Sequence, residues 1–363
     1  KKVILKAIKI KNLSLSNDLK FNILKELSEE KKLSSRITLK KAQINSKEIK
    51  KGDIFFAIKG KKNDGNKFIS EAFNKKASIA IVNKISKNNN IKHQIKVRDS
   101  LKFLTQSSKV YRKNINTKII AITGSCGKTT LKELLGNSLK KLSKTSTSPK
   151  SYNNKYGVPL SLFNLNQKDD YGVLEIGMDK KGEIDYLSKI VQPDVSVITN
   201  INYAHAKNFK NLKQIALAKS EIIHNTKDNG IIVLNADDNF FTFHKKIALK
   251  KNLKIVSFGI KSKYSNIKFM NIKKFKKRFK VTIKINHLKT YFLIPNDFEN
   301  YISNILAALA VMSIFLDISK INKNIFNNFK VPNGRGDISK IKINKKNLNL
   351  IDESYNSNPL SLK

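Results

Sequence analysis

The chain has 363 residues, more than a single compact core usually holds, so its length favours two or three domains. Lysine and arginine together number 72 against 27 acidic residues, which gives a formal net charge of +45 at pH 7. Only five of the basic residues are arginines, and the lysines are dispersed among Asn and Ile along the whole sequence. An AT-rich coding sequence produces such dispersion, which argues against a nucleic-acid-binding protein, where arginine and aromatic residues concentrate on one element.

The single cysteine, Cys126, excludes an internal disulfide and is typical of a reducing compartment. No apolar stretch approaches the roughly 20 residues that a membrane-spanning helix needs, and no signal peptide is recognisable. We therefore predict a cytoplasmic protein without membrane insertion. Residue 1 is lysine and the last residues read as the opening of a further segment, so we expect a fragment at both ends.

The N-terminal third predicts a small α/β module. The first forty residues carry little functional signal beyond a short helix predicted at 24–27. Between Ala42 and Val82, apolar runs alternate with Gly-Asp and Asp-Gly turns and a helical segment. Asn45-Ser46-Lys47 precedes the first of these apolar runs. Residues 101–114 then predict a helix and a linker into a central domain.

Residues 123–130 read Thr-Gly-Ser-Cys-Gly-Lys-Thr-Thr and lie between an apolar run and a segment with helical spacing. This order predicts a strand, a glycine loop and a helix, as in proteins that bind nucleotide phosphates. Loop N–H groups would hold phosphate oxygens, the Lys128 ammonium would neutralise them, and the Thr129 hydroxyl would bind Mg²⁺. We therefore predict the cofactors ATP and Mg²⁺, bound by Gly124, Ser125, Cys126, Gly127, Lys128, Thr129 and Thr130.

Two polar features follow the loop. Asn153 and Asn154 lie just before Gly157 and Pro159, in a segment that forms either a plain turn or a set of side-chain donors and acceptors. Glu175 lies near the end of a continuous apolar run, where a carboxylate is costly unless it is paired or binds a metal. Because ligands of an open parallel sheet bind beyond the carboxyl ends of its strands, Glu175 is predicted to hold Mg²⁺; a buried structural glutamate is the alternative.

His205 and Lys219 have no assigned role from spacing alone. His205 follows the strand predicted at 195–200, and a lone histidine is usually structural. Lys219 lies on a helix predicted at 211–224, where a lysine is usually solvated.

The last third contains strands, a helix and a hinge-like segment. Residues 255–294 alternate β-branched and aromatic residues with lysines, which predicts antiparallel strands with one solvated face. A helix that contains Asn304 follows. Arg335, one of the rare arginines, lies in a Gly-Arg-Gly stretch and is suited to a phosphate contact.

Taken together, these motifs resemble those of the Mur ligase family. They occur in the same order as in that family, from about residue 42 to the end of the chain. Residues 42–82 resemble its N-terminal uridine-nucleotide-binding domain, and residues 153–160 and 350–359 resemble motifs of the branch that adds D-alanyl-D-alanine. Residues 234–238, Leu-Asn-Ala-Asp-Asp, also match the family. In the segment where the family has Gly-x-His-Asn-x-x-Asn, only the last asparagine, Asn304, remains.

The resemblance implies roles that the residues alone leave open. It makes His205 a second metal ligand and Lys219 a carbamylated, carboxylate-like ligand. The implied catalytic residues are Lys128, Glu175, His205 and Lys219, and the implied metal ligands are Thr129, Glu175, His205 and Lys219. Asn304 and Arg335 join the nucleotide-binding set, and the implied substrate-binding residues are Ser46, Asn153, Asn154, Asp352, Tyr355 and Asn356.

The implied fold is α/β. It has a UDP-substrate-binding domain at 1–113, a central ATP-binding domain with a mostly parallel sheet at 114–330, and the start of an incomplete C-terminal domain at 331–363. The implied activity is ATP-dependent ligation of D-alanyl-D-alanine to UDP-N-acetylmuramoyl-tripeptide through an acyl phosphate, in peptidoglycan precursor synthesis. The implied enzyme is a monomer that binds these two substrates and no nucleic acid.

Four alternatives remain at this stage. A sister Mur ligase would add the third amino acid, but the paired asparagines at 153–154 argue against it. A folylpolyglutamate-type ligase should lack the uridine-binding module. A basic ATPase with a phosphate loop would need nucleic acid to stimulate its turnover. A non-catalytic UDP-sugar-binding homologue would bind the precursor without consuming ATP.

Overall fold

The computed structural model describes residues 19–28, 37–60, 63–203, 208–327, 329–343, 346–352 and 354–355. The α-helices in these residues are α1 (Leu19–Ser28), α2 (Ile69–Asn74), α3 (Ser100–Lys113), α4 (Lys128–Lys140), α5 (Gly157–Phe163), α6 (Glu183–Val191), α7 (Leu212–His224), α8 (Phe241–Lys250) and α9 (Ile302–Phe315). The strands are β1 (Ala42–Gln43), β2 (Ile54–Phe56), β3 (Ile79–Val82), β4 (Gln94–Lys96), β5 (Lys118–Thr123), β6 (Thr145–Thr147), β7 (Tyr171–Glu175), β8 (Val195–Ile198), β9 (Ile231–Asn235), β10 (Lys254–Gly259), β11 (Ile267–Phe275), β12 (Arg278–Ile285), β13 (Leu288–Pro295), β14 (Asp337–Ile343) and β15 (Lys346–Asp352). The chain divides into two compact units, residues 1–116 with 155–167 and residues 117–154 with 168–363.

The N-terminal unit is built on a four-stranded parallel sheet in the order β1-β2-β3-β4. The apolar residues of β2 and β3 are buried throughout, as strands covered on both faces require. Asp99 caps α3 by accepting hydrogen bonds from the Leu101 and Lys102 N–H groups at 2.9 Å. Just after α5, the Asn164 side chain bonds the Ala42 N–H at 2.7 Å and the Ala42 carbonyl at 2.8 Å, which satisfies part of the edge strand β1.

The second unit is built on a nine-stranded sheet in the order β13-β12-β11-β10-β9-β8-β5-β7-β6. From the edge strand β6 across the sheet to β11, every pair of neighbouring strands is parallel. Beyond β11, the strand β12 is antiparallel to both β11 and β13. The prediction of antiparallel strands across 255–294 was wrong for the first strand, since β10 is parallel to both of its neighbours. Alternation of apolar and polar residues does not encode strand direction, whereas α8 provides the crossover between the parallel strands β9 and β10. The mixed architecture with mostly parallel sheets confirms the predicted α/β class.

The core of the second unit contains α9. Residues Ile305–Met312 are all buried, and they pack with α4 and the sheet in one apolar cluster. By length and composition alone, the helical stretch Phe298–Phe315 could cross a membrane, with a mean hydropathy of 1.4. The expectation that no such stretch exists was therefore wrong. Burial of 56% of the stretch inside the fold is what the core helix of a globular unit shows.

Candidate nucleotide and metal site

The glycine loop joins β5 to α4 and needs both of its glycines. Gly124 and Gly127 have φ angles of +149° and +78°, where residues with a side chain are strained. A Cβ atom on Gly124 would lie 1.8 Å from Thr199 Oγ1, so no side chain fits there. α4 begins at Lys128, and the first N–H groups of a helix have no partner within it. The strand, loop and helix thus have the backbone geometry of a phosphate-binding loop.

The segment that follows β8 holds the loop, a contact that sequence reasoning missed. Ser125 Oγ donates to the Asn202 carbonyl and accepts from the Asn202 N–H, both at 2.8 Å. The Ser125 N–H donates to the Asn200 carbonyl at 2.9 Å, and the Cys126 N–H donates to Asn200 Oδ1 at 3.0 Å. The Ser125 and Cys126 N–H groups, which were predicted to bind phosphate oxygens, are therefore hydrogen-bonded to Asn200.

The Lys128 side chain folds back over the loop. Its Nζ donates to the Gly124 carbonyl at 2.9 Å and to the Ser125 carbonyl at 3.3 Å. Burial lowers the pKa of Lys128, and the neighbouring Glu175 carboxylate opposes that shift. Carbonyls are weak partners for a cation, so the ammonium can exchange them for phosphate oxygens, which make stronger charge-assisted hydrogen bonds.

Two further predicted residues lie at the loop. Asn304, on α9, donates from Nδ2 to the Gly127 carbonyl at 2.9 Å. Thr130 is buried in the first turn of α4, with 4% of its surface exposed. The structure thus brings all the predicted loop residues and Asn304 together.

Glu175 lies beside Thr129 because the ends of two neighbouring strands meet. β7 pairs in parallel with β5, and Glu175 lies opposite Ile122, just before the loop. Thr129 Oγ1 donates to Glu175 Oε2 at 2.6 Å, and Asn153 Nδ2 donates to Oε1 at 2.7 Å. The carboxylate is only 1% exposed. Among the described residues it forms no ion pair.

A buried carboxylate whose hydrogen-bond donors are neutral carries a large desolvation cost, which the neighbouring Lys128 ammonium offsets in part. A hard divalent cation would offset that cost, and Mg²⁺ is usually bound through one or two oxygen side chains, waters and substrate phosphates. The donor set of Thr129 and Glu175 fits such an ion. Sequence reasoning placed Asn153 among the substrate residues and missed its hydrogen bond to Glu175.

Lys219 lies deep under the same loop. It is 2% exposed, and its Nζ donates to the Gly124 carbonyl at 2.9 Å. Burial holds its pKa well below the usual value, and the Lys128 ammonium lowers it further. Two lysine side chains thus bond the carbonyl of one glycine.

The predicted metal ligands are only partly assembled. The structure places Thr129 and Glu175 in direct contact and Lys219 on the loop, while His205 lies outside the described residues. In the described parts of the chain, no group of three or more His, Cys, Asp and Glu side chains could hold a metal. Within the described residues, the oxygen donors beside Glu175 that could join a metal at this site are the Thr129 hydroxyl and the oxygens of bound phosphates.

A cavity of about 380 Å³ opens beside Thr129. Arg335 lies on its wall, with the guanidinium 4.3 Å from the centre of the Tyr355 ring and Nη2 donating to Ser151 Oγ at 3.2 Å. The full lining is Thr129, Glu133, Asn137, Lys150, Ser151, Lys330, Pro332, Asn333, Arg335 and Tyr355. Sequence reasoning missed Glu133 and Asn137, although they follow Thr129 by four and eight residues, a spacing that places them on one face of α4.

Ser46 lies in the N-terminal unit. It is 5% exposed, and its Oγ donates to Glu71 Oε2 at 2.8 Å. This hydrogen bond is the main cause of the lowered pKa of Glu71, and a bond from Lys75 adds to it. Glu71, the partner of the predicted substrate residue Ser46, was not predicted from the sequence.

The remaining predicted substrate residues are not brought together by any described contact. Asn154 is exposed next to Asn153. Asp352 Oδ1 accepts a hydrogen bond from the Ser354 N–H at 2.9 Å; the Ser354 side chain, and then this backbone bond, lower the pKa of Asp352. Asn356 lies outside the described residues.

Comparison with known proteins supports one family. Residues 39–122 match the model described as Mur ligase family, catalytic domain, and residues 122–312 match the Mur ligase middle domain. A UDP-N-acetylmuramoyl-tripeptide–D-alanyl-D-alanine ligase from Buchnera aphidicola is 37% identical over 324 residues, which are 88% of this chain and 69% of the relative.

Solved structures agree with the sequence comparison. A crystal structure of MurF from Acinetobacter baumannii is similar with a TM-score of 0.79 at 29% identity, covering 94% of this chain and 74% of that one. MurF ligase from Thermotoga maritima in complex with ADP is similar with a TM-score of 0.75 at 27% identity, covering 90% of this chain and 74% of that one. The chain belongs to the Mur ligase family.

Proposed function

We propose that this protein is an ATP-dependent, ADP-forming ligase that joins D-alanyl-D-alanine to UDP-N-acetylmuramoyl-tripeptide in peptidoglycan precursor synthesis. The main observation in support of the proposal is the buried Glu175 carboxylate at the end of β7, which accepts hydrogen bonds from Thr129 and Asn153 beside the phosphate-binding loop. The names of the similar ligases describe this reaction, and one of the similar structures holds ADP.

The chemistry requires a phosphate donor because a carboxylate is a poor acyl donor. Bound ATP would supply the phosphoryl group that makes the tripeptide carboxylate an acyl phosphate, which the amine of D-alanyl-D-alanine then attacks with release of phosphate. In this chain, Lys128 and Arg335 are the cations that offset negative charge near the loop, and Asn304 fixes the loop backbone at Gly127.

We assign Mg²⁺ to Thr129 and Glu175, with His205 and Lys219 as further ligands on the basis of family resemblance. The burial of Lys219 supports a carbamylated state, because the lowered pKa raises the fraction of neutral amine that can react with carbon dioxide. Carbamylation turns a cation into an anionic oxygen ligand, which suits a hard metal ion.

Replacing Lys219 with alanine tests this assignment. We expect Lys219→Ala to lose most of its ligase activity and to regain part of it when acetate or another short carboxylate is added. The added anion would occupy the space of the missing carbamate. Phosphate release measured across a carboxylate series checks this, and Lys213→Ala, at an exposed position on the same helix, is the control. Absence of rescue by every carboxylate would count against a carbamate at this position.

We assign the substrates by unit. Ser46 belongs to the N-terminal unit and is proposed to contact the uridine nucleotide, while Asn153, Asn154, Asp352, Tyr355 and Asn356 are proposed to contact the tripeptide or the dipeptide. The division into a UDP-binding domain at 1–113, an ATP-binding domain at 114–330 and a C-terminal domain from 331 remains part of this proposal. We further propose a cytoplasmic monomer.

A direct test measures phosphate release from ATP with UDP-N-acetylmuramoyl-tripeptide, with and without D-alanyl-D-alanine. We expect turnover only when both are present. Turnover with UDP-muramoyl-dipeptide and a single amino acid would instead identify the sister ligase. ATP turnover that does not depend on either substrate but increases with RNA or DNA would identify a nucleic-acid-dependent ATPase and overturn the proposal.

A further inference from the structure

Lys132 is a buried lysine beside the site that the proposed chemistry does not use. Lys132 lies on α4, three residues after Thr129, and its side chain is 0% exposed. Its Nζ donates to the Ser148 carbonyl at 2.7 Å and to the Lys150 carbonyl, and it lies 2.9 Å from Glu133 Oε1. An ammonium has three donor hydrogens, so these three acceptors satisfy it completely.

The backbone that Lys132 binds is strained. Lys150 has φ of +48°, in the left-handed region where a residue with a side chain is uncommon. Such a conformation is energetically unfavourable and persists only where the surroundings enforce it. The hydrogen bonds from Lys132 to two carbonyls of this turn are contacts that enforce it.

The same turn positions residues of the proposed site. Ser148 Oγ accepts a hydrogen bond from the Glu175 N–H at 3.2 Å, and Ser151 Oγ accepts one from Arg335 at 3.2 Å. Asn153, two residues further on, donates to the Glu175 carboxylate at 2.7 Å. The segment 148–153 therefore touches both the metal-binding carboxylate and the phosphate-binding arginine.

We propose that Lys132 is a positioning residue of the ligase, whose buried ammonium fixes the strained turn at 148–150 and thereby aligns Asn153 on Glu175 and Ser151 on Arg335. This inference rests on the proposed function. Lys132 touches neither Thr129 nor Glu175 with its ammonium in any described contact, so its effect passes through the turn.

The test replaces Lys132 with methionine, which keeps the length of the side chain and removes the ammonium. We expect kcat for phosphate release with both substrates to fall by about 10²-fold, as misplacement of a positioned group by about 1 Å can produce. The Kd for ADP should stay within about threefold, because the glycine loop and Lys128 are unchanged. Lys141→Met is the matched control, since Lys141 is the C-cap of the same helix and also donates to a backbone carbonyl, that of Ile325 at 2.6 Å.

A second substitution separates positioning from general stability. Glycine adopts φ of +48° without strain, so Lys150→Gly in the Lys132→Met background should recover at least about fivefold of the lost kcat. Lys150→Gly alone corrects for the loss of the Lys150 side chain. A purely structural role would give recovery of the melting temperature without recovery of kcat, and that result would overturn the proposal.

The outcomes are distinguishable from failure of the proposed function. Wild-type protein that does not turn over with both substrates would refute the function itself. Active wild-type protein with an equally active Lys132→Met variant would refute only the positioning role. Should Lys132→Met fail to fold, Lys132→Gln retains two N–H donors without the charge, and we expect its kcat to be about tenfold lower. An unchanged kcat in that variant would equally refute the role.

Discussion

Replacement of Lys128 with alanine is expected to lower the rate of phosphate release with both substrates by at least about 10²- to 10³-fold. The Lys128 ammonium lies on the glycine loop backbone, 2.9 Å from the Gly124 carbonyl and 3.3 Å from the Ser125 carbonyl. Its removal leaves the negative charge of a transferring phosphoryl group without this neutralising partner. We do not expect Lys219, which bonds the same carbonyl, to substitute for it, because the proposed carbamate makes that side chain anionic.

The measurement pairs turnover with binding of the uridine precursor. Ser46 and the glycine loop belong to different compact units, so we expect Lys128→Ala to bind UDP-N-acetylmuramoyl-tripeptide as the wild type does. Lys140→Ala, at an exposed position in the last turn of the same helix, controls for loss of one positive charge. Retained ATP turnover in Lys128→Ala would refute the assignment, and loss of both turnover and precursor binding would indicate misfolding.

The glycine loop and Glu175 were predictable from the sequence because their signals are local. Gly124 and Gly127 are required by their own backbone angles, and Glu175 is marked by the apolar run that buries it. Each signal lies within about ten residues of sequence. The expectation that Glu175 lies beside the loop followed from one general rule, that ligands of an open parallel sheet bind beyond the carboxyl ends of its strands. The direct contact of Glu175 with Thr129 was not predicted.

Lys132 and Asn200 were not predictable in this way. In a sequence with 72 basic residues, nothing distinguishes a buried lysine from the solvated ones, and only the tertiary fold desolvates Lys132. Asn200 bonds a loop that lies 74 residues earlier in the chain, and its partner is a backbone N–H, which leaves no trace in residue type. Long-range contacts between side chains and backbone groups could therefore not be predicted from the sequence.

Strand direction and the partner of α5 were also beyond the sequence. The sequence prediction grouped β10 with the antiparallel strands that follow it, yet β10 pairs in parallel on both sides. α5 follows Asn153 by four residues but belongs to the N-terminal unit, where Ser108 Oγ donates to the Pro159 carbonyl at 2.8 Å. Both features depend on which elements pack together, which periodicity does not specify.

Replacement of Glu175 with glutamine is expected to raise the Mg²⁺ concentration for half-maximal phosphate release by about 10- to 100-fold. The amide has the shape of the carboxylate, and its oxygen can still accept from Thr129 or Asn153, so the fold is retained. What is lost is the negative charge that a divalent cation would neutralise. Glu183→Gln is the matched control, because Glu183 accepts only from the Asp179 and Lys180 N–H groups in the described contacts.

Thermal unfolding gives this substitution a second readout that does not depend on activity. Without metal, Glu175→Gln should melt at the same or a higher temperature than the wild type, because the substitution removes the desolvation cost of a buried charge that forms no ion pair in the described residues and feels only the nearby Lys128 ammonium. With saturating Mg²⁺ and ADP, the wild type should gain more stability than the variant, since only the wild type retains the anionic ligand. Equal gains and an unchanged Mg²⁺ requirement would remove Glu175 from the metal site. The buried carboxylate would then be a structural acceptor for Thr129 and Asn153, and the metal would have to be held by the nucleotide phosphates and the other proposed ligands.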